Sequence, residues 1–318
     1  MPIISVIIPA HNSARTIKST IASILNQTFT DFELIVINDG STDTTLETLK
    51  QIEDSRLQIF SYPNGGVALS RNRGISLSKG DFISFIDADD LWTPDKLELQ
   101  LKALQANPQA KIAYSWTDWI DENDRWLRPG IHTTLNGDVY QHLLLIDFIG
   151  SGSNPLIHSC ALQKVGGFDN SLTNAHDWDM WLKLASCFEF VAVPSVQILY
   201  RICTNSMSTN VWGMEAASLK VIEQHYHQAP ASIQHLKKQT LANRYQYLTF
   251  KALEGTPCPK KGLTSARFLF LSVKYQAAWI QNKKIILIVL FKIFISTLLP
   301  SQYALLFMTF IKESVKKS

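Results

Sequence analysis

The sequence predicts an α/β fold with a largely parallel sheet flanked by helices, and three observations lead to this prediction. Through the first 90 residues, short β-branched apolar runs alternate with segments whose apolar residues recur at helical spacing. Each apolar run ends in a turn that contains Pro, Gly, Asn or Asp. The chain has 318 residues, 46% of them hydrophobic, which is enough to bury a large core as one domain or two.

The elements can be assigned in order along the chain. Strands are expected at residues 3–8, 32–38, 57–62 and 83–86, with helices at 14–27, after 43 and at 67–78. This alternation predicts parallel strands with helices on both faces of the sheet. Farther along, we expect a helix at 93–106, strands at 112–119, 156–159 and 191–200, a loop at 127–137 and a weak helix at 139–146. The pattern from 215 to 281 is helical and basic.

The segment 83–90 combines an apolar strand with three carboxylates, Asp87, Asp89 and Asp90. In open α/β sheets the carboxyl ends of the strands are where ligands bind. Carboxylates placed this closely repel one another unless they share a cation. The pattern therefore predicts a divalent-metal site that binds phosphate, and the alternative is an acidic helix cap after a strand.

Asp177 stands at the start of another predicted helix. Trp178, Trp181, Leu182 and Ala185 recur at spacings that face the core, which leaves Asp177 at the mouth of the helix. A carboxylate in this position either caps the helix or takes part in chemistry.

Charge is distributed unevenly along the chain. Residues 211–318 carry 15 basic and 4 acidic side chains, so their net charge is +11, and the first 210 residues carry −8 because the whole chain carries +3. A basic tail indicates an anionic partner, a membrane or a nucleic acid.

The tail also contains apolar runs at 285–299 and 303–311, interrupted by Lys292 and Pro300. These runs are too short to span a bilayer comfortably, so we expect helices that lie in the membrane interface. The lysines expected near lipid phosphates are Lys283, Lys284, Lys292, Lys312, Lys316 and Lys317. The alternatives are a buried helix pair or a dimer contact. No nucleic-acid partner is expected, since the lysines flank apolar runs.

Cysteine usage and the first residues bear on localisation. The four cysteines form no CxxC pair, and no basic segment with an apolar signal core opens the chain. We therefore expect a cytoplasmic protein, peripheral on the inner face of the plasma membrane.

Six motifs occur in order along the chain: SVIIPAHN at 5–12, NDGSTD at 38–43, DADD at 87–90, GGFD at 166–169, HDWD at 176–179 and YR at 200–201. Together they resemble the inverting family-2 glycosyltransferases of GT-A fold, over roughly residues 3–208. The resemblance implies a GT-A domain at 1–210 with a Rossmann-like, mostly parallel mixed sheet. Its nucleotide-sugar-binding half would be 1–92 and its acceptor half 93–210. Residues 211–318 would form a C-terminal helical extension.

The resemblance also implies residues that contact the donor. Pro9, Ala10 and His11 would line the pocket for the nucleotide base and ribose, and Asp39 would contact the base or ribose. Two arginines would be cationic contacts: Arg71 for the base or diphosphate, and Arg201 near the diphosphate.

Three carboxylates would carry the chemistry that the resemblance implies. Asp87 would hold the ribose or a metal-bound water, and Asp89 would ligate Mg²⁺ or Mn²⁺ between the two phosphates. Asp177 would be the general base, taking the proton of the acceptor hydroxyl as that oxygen attacks the anomeric carbon. A single displacement gives inversion.

The function implied is transfer of a sugar from a nucleotide-diphosphate sugar, with UDP-sugar as the expected donor. The acceptor would be a hydroxyl of a glycan or lipid-linked saccharide in polysaccharide or cell-envelope glycan synthesis. Acceptor contacts are expected from Trp116, Asp118, Asn154 and Trp178, because aromatic faces stack on sugar rings. A core role is the alternative for the tryptophans.

Two positions depart from the family pattern. His176 stands where members often have an acidic residue or Gln, and Cys203 stands where many have His. Two other functions compete with transfer. One is a non-catalytic sugar-nucleotide binder, and the other is a phosphatase that uses Asp87 and Asp89, although such enzymes usually carry that motif on their first strand.

Overall fold

The structure is a computed structural model that describes residues 1–202, 210–276 and 283–307. The chain divides into two compact units, Met1–Cys203 and Thr204–Ser318. The domain boundary expected at 210/211 lies a few residues later and stays a prediction. Cys203, Lys312, Lys316 and Lys317 lie outside the described residues.

The first half of unit one follows the alternation predicted from the sequence. Its strands are all parallel, because a helix returns the chain across the sheet between each pair. The elements are β1 (Ile4–Ala10), α1 (Ile17–Leu25), β2 (Phe32–Asp39), α2 (Thr45–Lys50), β3 (Leu57–Tyr62), α3 (Val67–Leu77) and β4 (Phe82–Phe85).

The second half extends the same sheet with mixed strand directions. The elements are β5 (Leu91–Trp92), α4 (Lys96–Ala106), β6 (Ala110–Ile120), β7 (Trp126–Pro129), α5 (Tyr140–Leu145), β8 (Leu156–His158), α6 (Ser159–Val165), α7 (His176–Ala185) and β9 (Glu189–Arg201). The strand order is β3-β2-β1-β4-β8-β6-β9-β5, and β7 pairs with β6. This sheet confirms the predicted mostly parallel α/β fold.

Strand direction decides which residues meet. β8 runs antiparallel to both β4 and β6, so β6 points the same way as β4, and β9 is parallel to β6. The carboxyl ends of β1, β2, β4, β6 and β9 therefore all lie at one edge of the sheet. This edge, which we call the carboxyl edge, is where every candidate site residue on a strand end is found.

Two elements were not expected from the sequence. The predicted loop at 127–137 begins inside β7, whose four residues are all exposed, so no buried face left an alternating pattern. β5 is only two residues long and pairs with the end of β9. Strands this short carry too few residues for a periodic signal.

The core of unit one lies between the sheet and its helices. β1 and β2 are buried on both faces, as their unbroken apolar runs predict. Ile17, Ile21 and Ile24 of α1 pack against them. Burial of these apolar side chains is the main stabilising contribution to the fold.

Unit two is helical where the structure describes it, which confirms the predicted C-terminal helical extension. It contains α8 (Val211–Gln228), α9 (Lys237–Ala252), α10 (Pro259–Tyr275) and α11 (Lys283–Leu298), with a 3-10 turn at Ala231–Leu236 and a further helical segment at 301–307. Its core cluster includes Tyr245, Leu248 and Phe268. Within the described ranges, none of the helices has the length and apolar character required to cross a bilayer.

Candidate active site

The ends of β1 and β2 form one part of the carboxyl edge. Asp39 closes β2, and its two oxygens accept the backbone N–H groups of Gly65 and Gly66 at 2.9 and 2.8 Å. Arg73 Nη1 lies 3.0 Å from the same carboxylate. Asp39 thereby fixes the start of α3, a structural role that the sequence analysis did not predict.

The residues predicted to line the nucleotide pocket are brought together here. Pro9 and Ala10 are buried at the end of β1, and the exposed His11 follows them. His11 Nδ1 lies 2.9 Å from the Asp39 carbonyl oxygen, and the Asn64 amide contacts both groups at 3.1 Å. The expected base and ribose contacts thus lie side by side on neighbouring strands.

The three carboxylates after β4 have different surroundings. Asp90 is fully buried, where its carboxylate accepts the Ser153 hydroxyl at 2.5 Å and the Arg201 backbone N–H at 3.0 Å. Burial, followed by the charges of Asp89 and Asp87, raises the pKa of Asp90 well above its usual value. Asp90 therefore ties β4 to β9 and supports the two carboxylates before it.

Asp89 is partly buried between charged neighbours. Burial, followed by the negative charge of Asp87, raises the pKa of Asp89 to about 6. A hydrogen bond from its own backbone N–H and then the charge of Arg201 oppose this rise in the pKa of Asp89. Arg201 Nε donates to the Asp89 carbonyl oxygen at 2.7 Å. A divalent cation at this position would relieve the repulsion between Asp87 and Asp89.

Asp87 is joined to Asp177 through a single guanidinium group. Arg71 Nη2 donates to Asp87 Oδ1 at 2.6 Å, and Arg71 Nη1 donates to Asp177 Oδ1. Arg71 is fully buried, and its guanidinium lies over the rings of Phe85 and Phe168, 5.9 and 5.2 Å from their centroids. The predicted general base therefore lies beside the strand end that carries the predicted donor contacts.

Asp177 occupies the first turn of α7, as predicted. The turn follows Ala175, whose backbone φ of 56° lies in the left-handed region. His176 Nε2 lies 3.2 Å from Asp177 Oδ1. Burial alone would raise the pKa of Asp177, but the charges of Arg71 and His176 lower it below the usual range. Asp177 therefore stays ionised, as a base must.

Arg201 ends β9 and reaches across the carboxyl edge. Its Nη1 donates to the Asp124 carboxylate and, at 3.3 Å, to the Asp121 carbonyl oxygen. Its Nη2 is buried and has no hydrogen-bond partner among the described residues. This places a guanidinium with donor capacity directly beside Asp89.

The residues predicted to contact the acceptor separate into two groups. Asp118 accepts the Trp126 indole N–H at 2.7 Å and contacts His132 Nε2 at 2.7 Å. Trp116 is partly exposed and stacks on His132 with ring centroids 4.6 Å apart. Trp116 and Asp118 therefore belong to one polar and aromatic cluster at the end of β6.

The other two predicted acceptor residues are buried. Asn154 is fully buried, and its amide bonds the Ser115 backbone on both sides at 2.7 and 2.8 Å. Trp178 is buried and donates its indole N–H to the Leu143 carbonyl oxygen at 2.7 Å. In this arrangement both support the fold, and their acceptor role stays a prediction without a contact to support it.

Several residues of the site were not singled out by the sequence analysis. Ser153 accepts the Asp87 backbone N–H at 2.9 Å as well as bonding Asp90, and Gly152 packs against the Arg71 guanidinium. Trp126, in the β6–β7 hairpin, is 60% exposed beside Asp118. Only the Gly-Ser-Gly-Ser composition of 150–153 marked this segment, and that composition is also typical of flexible connections.

The side chains fit a metal that is shared with a phosphate ligand. In the described part of the chain, no three or more His, Cys, Asp or Glu side chains are arranged to hold a metal by themselves. Mg²⁺ and Mn²⁺ take oxygen ligands, and sites for nucleotide phosphates use one or two carboxylates while the phosphates supply the rest. The adjacent Asp87 and Asp89 match such a donor set.

A family model described as glycosyltransferase-like family 2 matches residues 5–252. This chain belongs to that family. An uncharacterized glycosyltransferase of Rickettsia bellii (strain RML369-C) is 36% identical over 186 residues, 58% of this chain and 26% of its own length. A chondroitin synthase of Pasteurella multocida (strain Pm70) is 32% identical over 207 residues, 64% of this chain and 20% of its own length. The chain thus spans only a fraction of these two family relatives.

Comparison with solved structures confirms that this chain has the GT-A fold. S. aureus TarS 1–349 superposes with a TM-score of 0.58 at 16% identity, covering 89% of this chain and 92% of that chain. The mannosyltransferase PcManGT from Pyrobaculum calidifontis, in complex with GDP-Man and Mn²⁺, superposes with a TM-score of 0.59 at 17% identity, covering 88% and 87%. At these identities the similarity establishes the fold alone.

Proposed function

We propose that the protein transfers a sugar from a nucleotide-diphosphate sugar to a hydroxyl acceptor, with inversion. The observation that carries this proposal is the Arg71 guanidinium, which joins Asp177 to Asp87 at the carboxyl edge. A base placed beside the strand end of the donor half is what a single displacement at an anomeric carbon requires.

The donor is proposed to lie along the carboxyl edge from β2 to β4. Pro9, Ala10 and His11 would contact the base and ribose, together with Asp39. Support comes from structures of S. aureus TarS in complex with UDP and with UDP-GlcNAc, which share the fold. A UDP-sugar is therefore the first donor to test, although PcManGT was solved with GDP-Man.

The metal would be held at Asp89, with Asp87 oriented toward it or toward the ribose. When bound, Mg²⁺ or Mn²⁺ neutralises the charge that develops on the leaving diphosphate. The orphan Nη2 of Arg201 would donate to a phosphate oxygen beside Asp89, because a buried guanidinium N–H is stabilised by an anionic partner.

Asp177 would accept the proton of the acceptor hydroxyl. Its lowered pKa keeps it ionised in the range where the enzyme would operate. General-base assistance of this kind is typically worth about 10²–10⁴ in rate. Transfer in one step by one base gives inversion at the anomeric carbon.

The acceptor would approach from the side of the β6–β7 hairpin. Trp126 presents an exposed indole whose orientation is fixed by its bond to Asp118, and Trp116 lies in the same cluster. Aromatic faces and a nearby carboxylate are suited to a sugar ring. A glycan or lipid-linked saccharide acceptor, in polysaccharide or cell-envelope synthesis, is the class that we propose.

We also propose that unit two contacts a membrane surface, on the cytoplasmic side of the plasma membrane. One face of α11 exposes large apolar side chains at helical spacing: Leu287, Leu290, Phe291, Phe294 and Leu298. The opposite face packs on α10, where Gly262 leaves room for Thr297. Lys284 is exposed at the start of the same helix. An outward apolar face beside basic residues fits an interfacial helix.

A donor screen tests the proposed activity. The full-length protein would be incubated with UDP-, GDP- and dTDP-sugars in the presence of Mn²⁺, and both the thermal midpoint and donor turnover would be measured. We expect one nucleotide class to raise the midpoint and to be hydrolysed slowly without acceptor. Failure of every nucleotide sugar, with release of phosphate from p-nitrophenyl phosphate, would contradict the proposal and favour a phosphatase.

Vesicle sedimentation tests the membrane contact. Full-length protein should sediment with phosphatidylglycerol-containing vesicles more than with phosphatidylcholine alone, and Leu287→Gln with Phe294→Gln should weaken binding. Ile131→Gln, which changes an exposed apolar residue of unit one, is the matched control. Wild-type protein that stays in the supernatant with both vesicle types would refute the contact.

A further inference from the structure

The resemblance to the family led us to expect Arg71 as a contact of the donor base or diphosphate, but its position in the structure indicates another role. Its side chain is fully buried, and its two terminal nitrogens are directed at Asp87 and Asp177. A guanidinium presents its donors in a fixed planar fork, so one group can hold two carboxylates in a defined relation.

We infer that Arg71 is a positioning residue that holds the general base Asp177 against the donor-binding strand end at Asp87. This inference rests on the proposed transferase function. Arg71 acts through the two carboxylates, and the donor is not its ligand. The role is not evident from the sequence, because Arg71 and Asp177 are 106 positions apart.

The surroundings of Arg71 are built to receive its guanidinium. The rings of Phe85 and Phe168 lie near it, which favours a cation by its interaction with their π faces. A Cβ atom at Gly152 would collide with the Arg71 guanidinium, so only glycine leaves the required space. The neighbouring Ser153 accepts the Asp87 backbone N–H at 2.9 Å. The 152–153 segment thus contacts both the guanidinium and the backbone of Asp87, which carries one of its two carboxylate partners.

The contacts of Asp177 assign different roles to its two oxygens. Arg71 and His176 both approach Oδ1, so the orienting interactions are concentrated on that atom. Oδ2 is then the oxygen that accepts the proton. The side chain keeps 25% of its surface exposed, which gives an acceptor hydroxyl access to it.

Loss of the two hydrogen bonds from the Arg71 guanidinium to Asp87 and Asp177 should therefore lower the rate of the chemical step while donor binding remains. A displacement of about 1 Å in a catalytic group can cost about 10²-fold in rate. Arg71→Lys retains the charge but cannot hold two carboxylates with one planar group. We expect kcat to fall by about 10- to 100-fold in Arg71→Lys, with the donor KM within about threefold of wild type.

Two further variants separate this role from simple loss of fold. Gly152→Ala displaces the guanidinium without removing it, and we expect a fall in kcat in the same direction. Arg56→Gln changes an arginine in the turn before β3 that pairs with Asp54, contacts the Leu25 carbonyl oxygen and lies over the Phe32 ring. Its kcat should match that of wild type. Circular dichroism would establish that each variant is folded. A raised donor KM with unchanged kcat in Arg71→Lys would overturn the inference and return Arg71 to the donor site.

A thermal double-mutant cycle provides a readout that does not depend on activity. The stabilities of Arg71→Gln, Asp177→Asn and the double variant would be measured by thermal unfolding. We expect the double variant to be more stable than the sum of the two single effects predicts, because removing either partner alone takes one of two charge partners from the other. Additive effects would refute the link between Arg71 and Asp177. If the wild-type protein transfers no sugar while the cycle still shows coupling, the proposed function fails and the Arg71–Asp177 link remains.

Discussion

The end of β4 and the start of α7 both present aspartates to the carboxyl edge, yet they have opposite electrostatics. At the end of β4, burial and the negative charge of Asp87 raise the pKa of Asp89 to about 6. At the start of α7, the charges of Arg71 and His176 outweigh burial and lower the pKa of Asp177. Asp89 lies beside the like charge of Asp87, which outweighs the charge of Arg201, whereas Asp177 is bonded directly to the Arg71 guanidinium. One region is therefore suited to bind a cation, and the other to remain a base.

The largest effect is expected from Asp177→Asn. The amide cannot accept the hydroxyl proton, so kcat should fall by about 10²–10⁴-fold while binding of the nucleotide diphosphate persists. Steady-state transfer and calorimetric titration with the nucleotide measure the two quantities. Asp31→Asn, at an exposed position just before β2, is the control and should retain activity. Transfer at the wild-type rate in Asp177→Asn would erase the functional contrast between the two regions.

A smaller but distinct effect is expected from Asp89→Asn. Removing the carboxylate of the proposed metal ligand should weaken Mn²⁺-dependent nucleotide binding by at least about tenfold, whereas metal-free binding should change little. Calorimetric titration with nucleotide, with and without Mn²⁺, measures these two affinities separately. Equal affinities for wild type and variant in the presence of Mn²⁺ would show that the strand end does not hold the cation.

The comparison also predicts a pH dependence of stability in the metal-free protein. The folded-state pKa of Asp89, about 6, lies above its value of about 3.9 in an unfolded chain. The contribution of Asp89 to the free energy of unfolding is therefore fully present below about pH 4 and is lost as the pH rises through about 6. At about 1.4 kcal/mol per pKa unit, the loss is at most on the order of 3 kcal/mol.

Chemical unfolding between pH 4 and pH 8 measures this loss. Asp89→Asn should remove the part of the pH dependence of stability that Asp89 causes. Mn²⁺ with nucleotide should restore the stability of the wild-type protein at pH 8. Asp177 has the opposite sign: its lowered pKa contributes stability above about pH 4 that is lost only as the pH falls further. A wild-type profile that is unchanged by Asp89→Asn would contradict the assigned pKa shift.

The smallest effect on activity is expected from Asp179→Asn, on the same helix as Asp177. Asp179 is fully buried and pairs with Lys183 at 2.6 Å, within one turn of α7. Its loss should lower the free energy of unfolding by about 1–3 kcal/mol, with kcat per folded molecule little changed. Urea unfolding and transfer assays check both. A loss of kcat as large as that of Asp177→Asn would mean that α7 acts as a unit and that its two acids are not distinct.

Sequence patterns predicted most of the elements that form the carboxyl edge. Apolar runs and their polar ends depend on neighbouring residues, so β1, β2, β3 and β4 could be assigned before any contact was known. The C-terminal helices were predicted on the same basis. β7 was not, because its exposed residues and its pairing with β6 leave no periodic signal.

Side-chain roles were harder to predict than elements. Asp177 was identified by its motif and its place at a helix start, and the structure places it at the carboxyl edge. Arg71 was expected at the donor, and the structure directs it to two carboxylates. Asn154 and Trp178 were expected at the acceptor, but both side chains are buried and form hydrogen bonds to the protein backbone. Burial depends on which distant segments pack together, and no local pattern reports that.

The sequence by itself determined the order of most strands and helices, the acidic ends of the strands, and the types of residue available for chemistry, since each of these depends on a few consecutive positions. The tertiary structure decided which acid shares a cation with which. Asp87, just after β4, and Asp177, on α7, share one guanidinium because α3 places Arg71 between them. The charge pair between Arg71 and Asp177 spans 106 positions and exists only once the intervening chain has folded. The same folding leaves Asp89 next to like charge, and so makes two chemically identical side chains suited to different steps.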